Sequence, residues 1–193
     1  NFVAALEMTL KNGKMKKHGD EQLGLETGDA TKFETWEEFW DAYVAQHKLF
    51  LKTAFYQQYV INQLRAKHFA QPLGSAMHDL CMKHCLDLHT PYIPEGINLG
   101  YFEHMGFGTL VDSLSAIKKL VFEEKKITMA ELIEACDRNF EGKEDVRQLL
   151  MTAPCYGNNH PYADEIAQKV DELNVLFGQK YSKELGMHND IRY

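Results

Sequence analysis

The sequence predicts a mostly α fold. Apolar residues recur at helical spacing through several long stretches. Two capping boxes, Thr35 with Glu38 and Thr128 with Glu131, mark helix starts. Between the chain ends no segment alternates convincingly enough to read as a strand.

The elements follow in order. Val3, Leu6 and Leu10 place a helix over residues 1–11, and Asn12-Gly13 ends it. Residues 13–34 are rich in Gly and Lys and form a long irregular connection, a length that inside a compact domain often carries function. Thr35 caps a long helix running to about Phe69, with Phe39, Tyr43, Phe50, Ala54, Val60, Ile61 and Leu64 in helical period. Aromatic residues on several of its sides predict that other structure surrounds it. Pro72 stops or restarts the chain, and a shorter helix is expected over 74–88. Pro91, Pro94 and Gly96 break it, and 91–108 is a second irregular stretch. Leu110 to Glu124 is an amphipathic helix, Thr128 opens another to about Phe140, and Glu144 to Met151 gives a short one. After a turn from Pro154 to His160, Pro161 opens a last helix over 161–186. His188 to Tyr193 then reads as the start of an extended segment.

The 193 residues are 45% apolar and 25% charged, a mix that excludes disordered, collagen-like and disulfide-scaffold classes. A net charge of −7 argues against a nucleic-acid partner. No apolar run approaches the roughly 20 residues of a membrane span, and no secretory leader opens the chain. The four cysteines, Cys81, Cys85, Cys136 and Cys155, read as free thiols in a reducing, cytoplasmic setting. Apolar residues begin directly after Asn1, and the last helix is followed at once by new structure. The expectation is a single domain's internal part, 1–193, with no internal boundary and truncated at both ends.

Three groups of residues could carry chemistry. His78, Cys81 and Cys85 fall on one helical face, with His84 and His89 nearby, and thiolate with imidazole can bind Zn²⁺. The second ligand pair of a structural zinc site is missing, and a buried face packed with free cysteine is the stronger reading. Cys81 and His84 are close along a helix, which chance alone gives in a chain with nine histidines, and Cys155 sits in a turn where it can simply pack, so sequence places no cysteine nucleophile beside its base. Tyr101-Phe102-Glu103-His104-Met105 stands between glycines just before a helix. A carboxylate, an imidazole and aromatics on irregular backbone suit a small-molecule pocket. From composition alone, a packed loop with Glu103 and His104 in solvent is an equal alternative.

The run Val111-Asp112-Ser113-Leu114-Ser115-Ala116-Ile117-Lys118-Lys119-Leu120-Val121-Phe122 resembles a segment of the glycyl radical enzymes of the pyruvate formate-lyase-like superfamily. Asn139-Phe140-Glu141-Gly142 resembles the family's N-F-E-G turn, and Ala153-Pro154-Cys155-Tyr156-Gly157-Asn158-Asn159 its A-P-x-Y-G-N-D segment. Leu10-Lys11-Asn12-Gly13-Lys14 and Leu23-Gly24-Leu25-Glu26-Thr27-Gly28-Asp29 match two more, in order, so the likeness runs over essentially the whole chain.

The resemblance implies a helical section of a ten-stranded α/β barrel. It implies a parent in which a glycyl radical, installed by an S-adenosylmethionine-dependent iron–sulfur activating enzyme, generates a thiyl radical on a G-C-x-E loop. Neither that loop nor the R-V-x-G-Y glycyl loop occurs here, so the chain holds no catalytic radical residue, binds no metal or cofactor itself and is expected to be inactive alone. Tyr101, Phe102, Glu103, His104 and Met105 fall where the family's substrate-contacting loop lies, with Glu103 at the position that is glutamate in arylacetate decarboxylase-like members and glutamine in diol dehydratase-like ones. The stretch Asn98-Leu99-Gly100-Tyr101-Phe102-Glu103 is most similar to benzylsuccinate and alkylsuccinate synthases, which add a hydrocarbon C–H across fumarate in anaerobic metabolism. Another glycyl radical lyase, of arylacetate decarboxylase, choline lyase, diol dehydratase or C–S lyase type, is the alternative. A non-catalytic helical binding module is the alternative of a different class. Partners implied are a small-molecule substrate, the activating enzyme and a second copy in a homodimer, with small accessory subunits in some members.

Overall fold

The computed structural model describes residues 2–91, 93–94 and 105–186. They are mostly α, as expected. Helix α1 spans Phe2–Leu10, and a minimal antiparallel hairpin follows, β1 (Lys14–Met15) on β2 (Glu21–Gln22), in register Lys14 to Gln22. The sequence reading of a mostly α fold does not foresee this pairing. Two residues per strand give too little alternation for a sequence signal. Helix α2 spans Trp36–His68, α3 Pro72–Ala76, α4 Asp79–His84 and α5 Phe107–Ala116. A π-helical segment, Ile117–Glu123, continues α5. Helices α6 (Met129–Asp137), α7 (Glu144–Leu150) and α8 (Pro161–Glu184) follow among the described residues.

The start signals act as read. Thr35 Oγ1 accepts the Glu38 N–H at 3.2 Å, while Glu38 Oε2 takes the Glu34 and Thr35 N–H groups. At α6 the Thr128 hydroxyl accepts from the Glu131 N–H, and the Glu131 carboxylate accepts the Thr128 N–H at 2.8 Å. Those bonds to Thr128, first from its backbone and then from its hydroxyl, hold the Glu131 carboxyl below the usual range.

Three helices differ from the expectation. The helix expected over 74–88 is two short ones, because Ser75 Oγ turns back to the Gln71 carbonyl at 2.6 Å and also meets Asp87, and His78 takes an extended backbone. The helix opened by Thr128 stops at Asp137, because Asn139 and Phe140 both adopt left-handed backbone (φ 51° and 62°). The Leu110–Glu124 helix changes register at Ile117. There Glu124 N–H bonds to the Lys119 carbonyl five residues back, and ion pairs Lys118–Glu123 and Lys119–Glu124 share that spacing.

The chain divides into two compact units, Asn1–Leu49 with His104–Leu173, and Phe50–Glu103 with Asn174–Tyr193. In the first, Phe39 and Tyr43 of α2 are fully buried with Leu110, Val111 and Leu114 of α5. Trp36, Phe39 and Phe122 stack around that core with centroids 5.7–6.1 Å apart. In the second unit Leu51 and Phe55 are buried, whereas Val60, Ile61 and Leu64 are exposed. The apolar period of α2 therefore reads as core through Phe55 and not beyond it among the described residues.

Candidate functional site

The segment singled out from the sequence is described only at its end. Tyr101, Phe102, Glu103 and His104 lie outside the described residues; Met105 is described and is 67% exposed. It leads into Gly106, whose left-handed backbone (φ 87°) turns the chain into α5. Leu110, Val111 and Leu114 anchor that helix in the core, so burial fixes the helix entry two residues after Met105.

The family-like segments form the joints of the first unit. Asn12 Oδ1 accepts the Gly28 N–H at 2.8 Å, tying the L-x-N-G-K run to the T-G-D run. Gly13 sits at φ 86°, and a Cβ there would collide with the Leu25 carbonyl. Gln46, fully buried on α2, closes a two-way bond with the Leu25 backbone, donating to its carbonyl at 2.7 Å and accepting its N–H at 3.0 Å. Asp112 and Ser115 reach the A-P-C-Y-G turn at 2.7 Å each. No sequence rule finds these pairs, because the partners are 16 to 44 residues apart.

A concavity of about 680 Å³ opens in the first unit. Its floor is apolar, with Leu6, Leu10, Ile117 and Leu132, and Lys11 and Lys16 meet Asp137 at its rim. The size suits a small ligand or an inserted side-chain cluster. Met105 is not among its lining residues, and Tyr101 to His104 lie outside the described residues.

The His/Cys group does not assemble. Cys81 is buried in α4, Cys85 ends that helix in left-handed backbone and is exposed, and His89 Nδ1 meets the Phe69 carbonyl. Among the described residues no group of three His, Cys, Asp or Glu side chains is placed to hold a metal ion, and no helix is long and apolar enough to cross a membrane.

The chain belongs to the pyruvate formate lyase-like family, whose model matches residues 1–189. It is 74% identical over its whole length to isethionate sulfite-lyase of Nitratidesulfovibrio vulgaris, covering 23% of that protein. It is 38% identical to trans-4-hydroxy-L-proline dehydratase of Clostridioides difficile over 88% of this chain and 21% of that one. Among solved structures it matches the glycerol-bound B12-independent glycerol dehydratase of Clostridium butyricum with a TM-score of 0.82 and 28% identity, over 97% of this chain and 23% of that one. The chain thus spans under a quarter of the length of these relatives. They correct one expectation: they are a sulfite-lyase and dehydratases, and they do not support addition of a hydrocarbon to fumarate or a benzylsuccinate synthase-like identity. The apolar look of residues 98–102 misled because apolar wall is common to pockets of many chemistries.

Proposed function

We propose that this chain is part of a glycyl radical lyase that cleaves the carbon–sulfur bond of isethionate and releases sulfite. The observation that carries this reading is the 74% identity to isethionate sulfite-lyase, which extends over the whole chain. The balance is simple: the two-carbon hydroxysulfonate C₂H₅SO₄⁻ gives acetaldehyde, C₂H₄O, and bisulfite, HSO₃⁻. A hydrogen atom leaves the hydroxyl-bearing carbon, the C–S bond breaks with its electron pair leaving on sulfur, the hydroxyl proton passes to the departing sulfite to give bisulfite, and the hydrogen atom is returned to the other carbon. Removing that hydrogen as a proton is beyond a side chain whose pKa lies near the operating pH, which is why radical chemistry is required. The radical is supplied from outside this chain, in a parent activated by an S-adenosylmethionine-dependent iron–sulfur enzyme. The parent is read as a cytoplasmic homodimer with a small-molecule substrate.

This chain's own contribution is the segment Tyr101, Phe102, Glu103, His104 and Met105, which excludes water and contacts substrate. The substrate hydroxyl is the group a carboxylate at Glu103 can serve, since an ionised carboxylate repels the sulfonate.

The test uses the activated full-length polypeptide under anaerobic conditions. Isethionate should yield sulfite one for one, while trans-4-hydroxyproline, glycerol and toluene with fumarate should not turn over. Turnover of one of those without sulfite from isethionate overturns the assignment. Glu103→Gln should lower kcat with isethionate by about 10²-fold or more, the scale of a lost proton-transfer group. If His104→Ala has that effect and Glu103→Gln does not, the carboxylate role is wrong.

A further inference from the structure

The concavity of about 680 Å³ lies wholly within the first unit. Leu6 of α1, Ala116 of α5, Ile117 of its π-helical continuation and Leu132 of α6 build the floor. Met151, just past α7, also lines it and is 68% exposed, so a large apolar side chain stands in water beside an apolar space. Three basic and three acidic side chains line the same space, and each already has a partner inside the unit. Lys11 and Lys16 meet Asp137, and Glu7 accepts the Lys16 N–H at 3.0 Å. Arg147 pairs with Glu144 at 2.7 Å, and Asp112 accepts the Tyr156 N–H at 2.7 Å. The rim therefore favours neither sign of charge and holds no charged group in wait for an ionic ligand. What suits this space is apolar and uncharged.

We propose that this groove is a docking surface for apolar side chains of the parent polypeptide that lie outside this chain. The proposal rests on the reading above that the chain is part of a longer polypeptide. The chain spans 23% of isethionate sulfite-lyase, so on that reading most of the parent lies beyond it. A covalently tethered segment meets the groove at an effective concentration that a free apolar molecule does not reach. A second copy related by a two-fold axis would present the same concavity to this one and leave the space empty. The isethionate anion of the proposed reaction is also a poor occupant, because the floor is apolar and the rim charges are paired.

The test uses the full-length polypeptide before activation. Met151 is replaced by the photocrosslinker p-benzoylphenylalanine, and isotope-labelled and unlabelled copies are mixed before irradiation. The expected product is a cross-link to an apolar residue of the same copy, outside the 193 residues of this chain. A cross-link to the other copy, a cross-link confined to this chain, or none overturns the proposal. Unsubstituted polypeptide supplies a second reading that survives if the bulky replacement does not fold. Thioether oxidation by dilute hydrogen peroxide follows exposure, so Met151 should oxidise several-fold more slowly in the folded polypeptide than in urea. Equal rates mean an open groove and overturn the proposal. Protection of Met151 with no protein cross-link from a folded variant means a small-molecule occupant and overturns it too. Neither measurement involves isethionate, so a failure to release sulfite would overturn the functional assignment only. An intact mass of the natural polypeptide no greater than 22.2 kDa would overturn the reading of a longer parent, and the proposal with it.

Discussion

Leu114→Ala probes the packing on which the first unit depends. Leu114 is fully buried in a core shared with Leu110, Ile117, Leu132 and Val170. The substitution removes three carbons, and at about 0.8 kcal/mol per buried methylene the transfer loss alone exceeds 2 kcal/mol. The surrounding helices cannot close the gap fully, and the cavity raises the loss to about 3–4 kcal/mol, within the range of about 2–5 kcal/mol for such changes. Leu23→Ala is the control in the same unit: Leu23 is 45% exposed, so its truncation leaves no cavity and should cost under about 1 kcal/mol. Both tryptophans report on this unit, since Trp36 and Trp40 pack on its core. Urea titration of the chain followed by tryptophan fluorescence should move the midpoint far more for Leu114→Ala than for Leu23→Ala. Equal shifts, or no shift for Leu114→Ala, would refute the assignment of α5 as the central core helix.

Thr128→Ala removes the hydroxyl half of a complete capping box and should destabilise the unit by about 0.5–2 kcal/mol, with faster amide exchange confined to the first turn of α6. The pH dependence follows from the lowered Glu131 carboxyl, whose ordinary value is 4.5. A carboxyl depressed by folding stabilises above its unfolded value and loses that contribution as pH falls through its folded value. Wild type should therefore exceed Glu131→Gln in stability at pH 7, with the gap shrinking below about pH 4.5, the ordinary value of the carboxyl; a gap that widens on acidification contradicts the cap.

Local chemistry made the helix starts legible: Thr35 with Glu38, Thr128 with Glu131, and Pro161 act through neighbours three residues away or nearer. The π-helical turn was missed because Leu110, Leu114 and Ile117 fit an ordinary helix. The fivefold spacing of Lys118 with Glu123 and Lys119 with Glu124 was the signal that could have found it. The break at Met77-His78 depends on Ser75 meeting Asp87, twelve residues away. The site was legible only in part. Family-like runs point to the segment ending at Met105 as a candidate, of which only Met105 is among the described residues, and several residues in those runs make joints, such as Asn12 to Gly28 and Ser115 to Pro154, which encode fold and say nothing of substrate. Composition near Tyr101 and Phe102 fits a pocket wall or a packed loop equally and specifies no substrate.

The most direct test of the central claim is electron paramagnetic resonance on the full-length polypeptide after anaerobic treatment with its activating enzyme, with isethionate then added and sulfite measured in the same sample. The account predicts a glycyl doublet, sulfite release in proportion to its intensity, and loss of both on exposure to oxygen. Sulfite released by a sample that carries no doublet, or no doublet after verified activation, would contradict it.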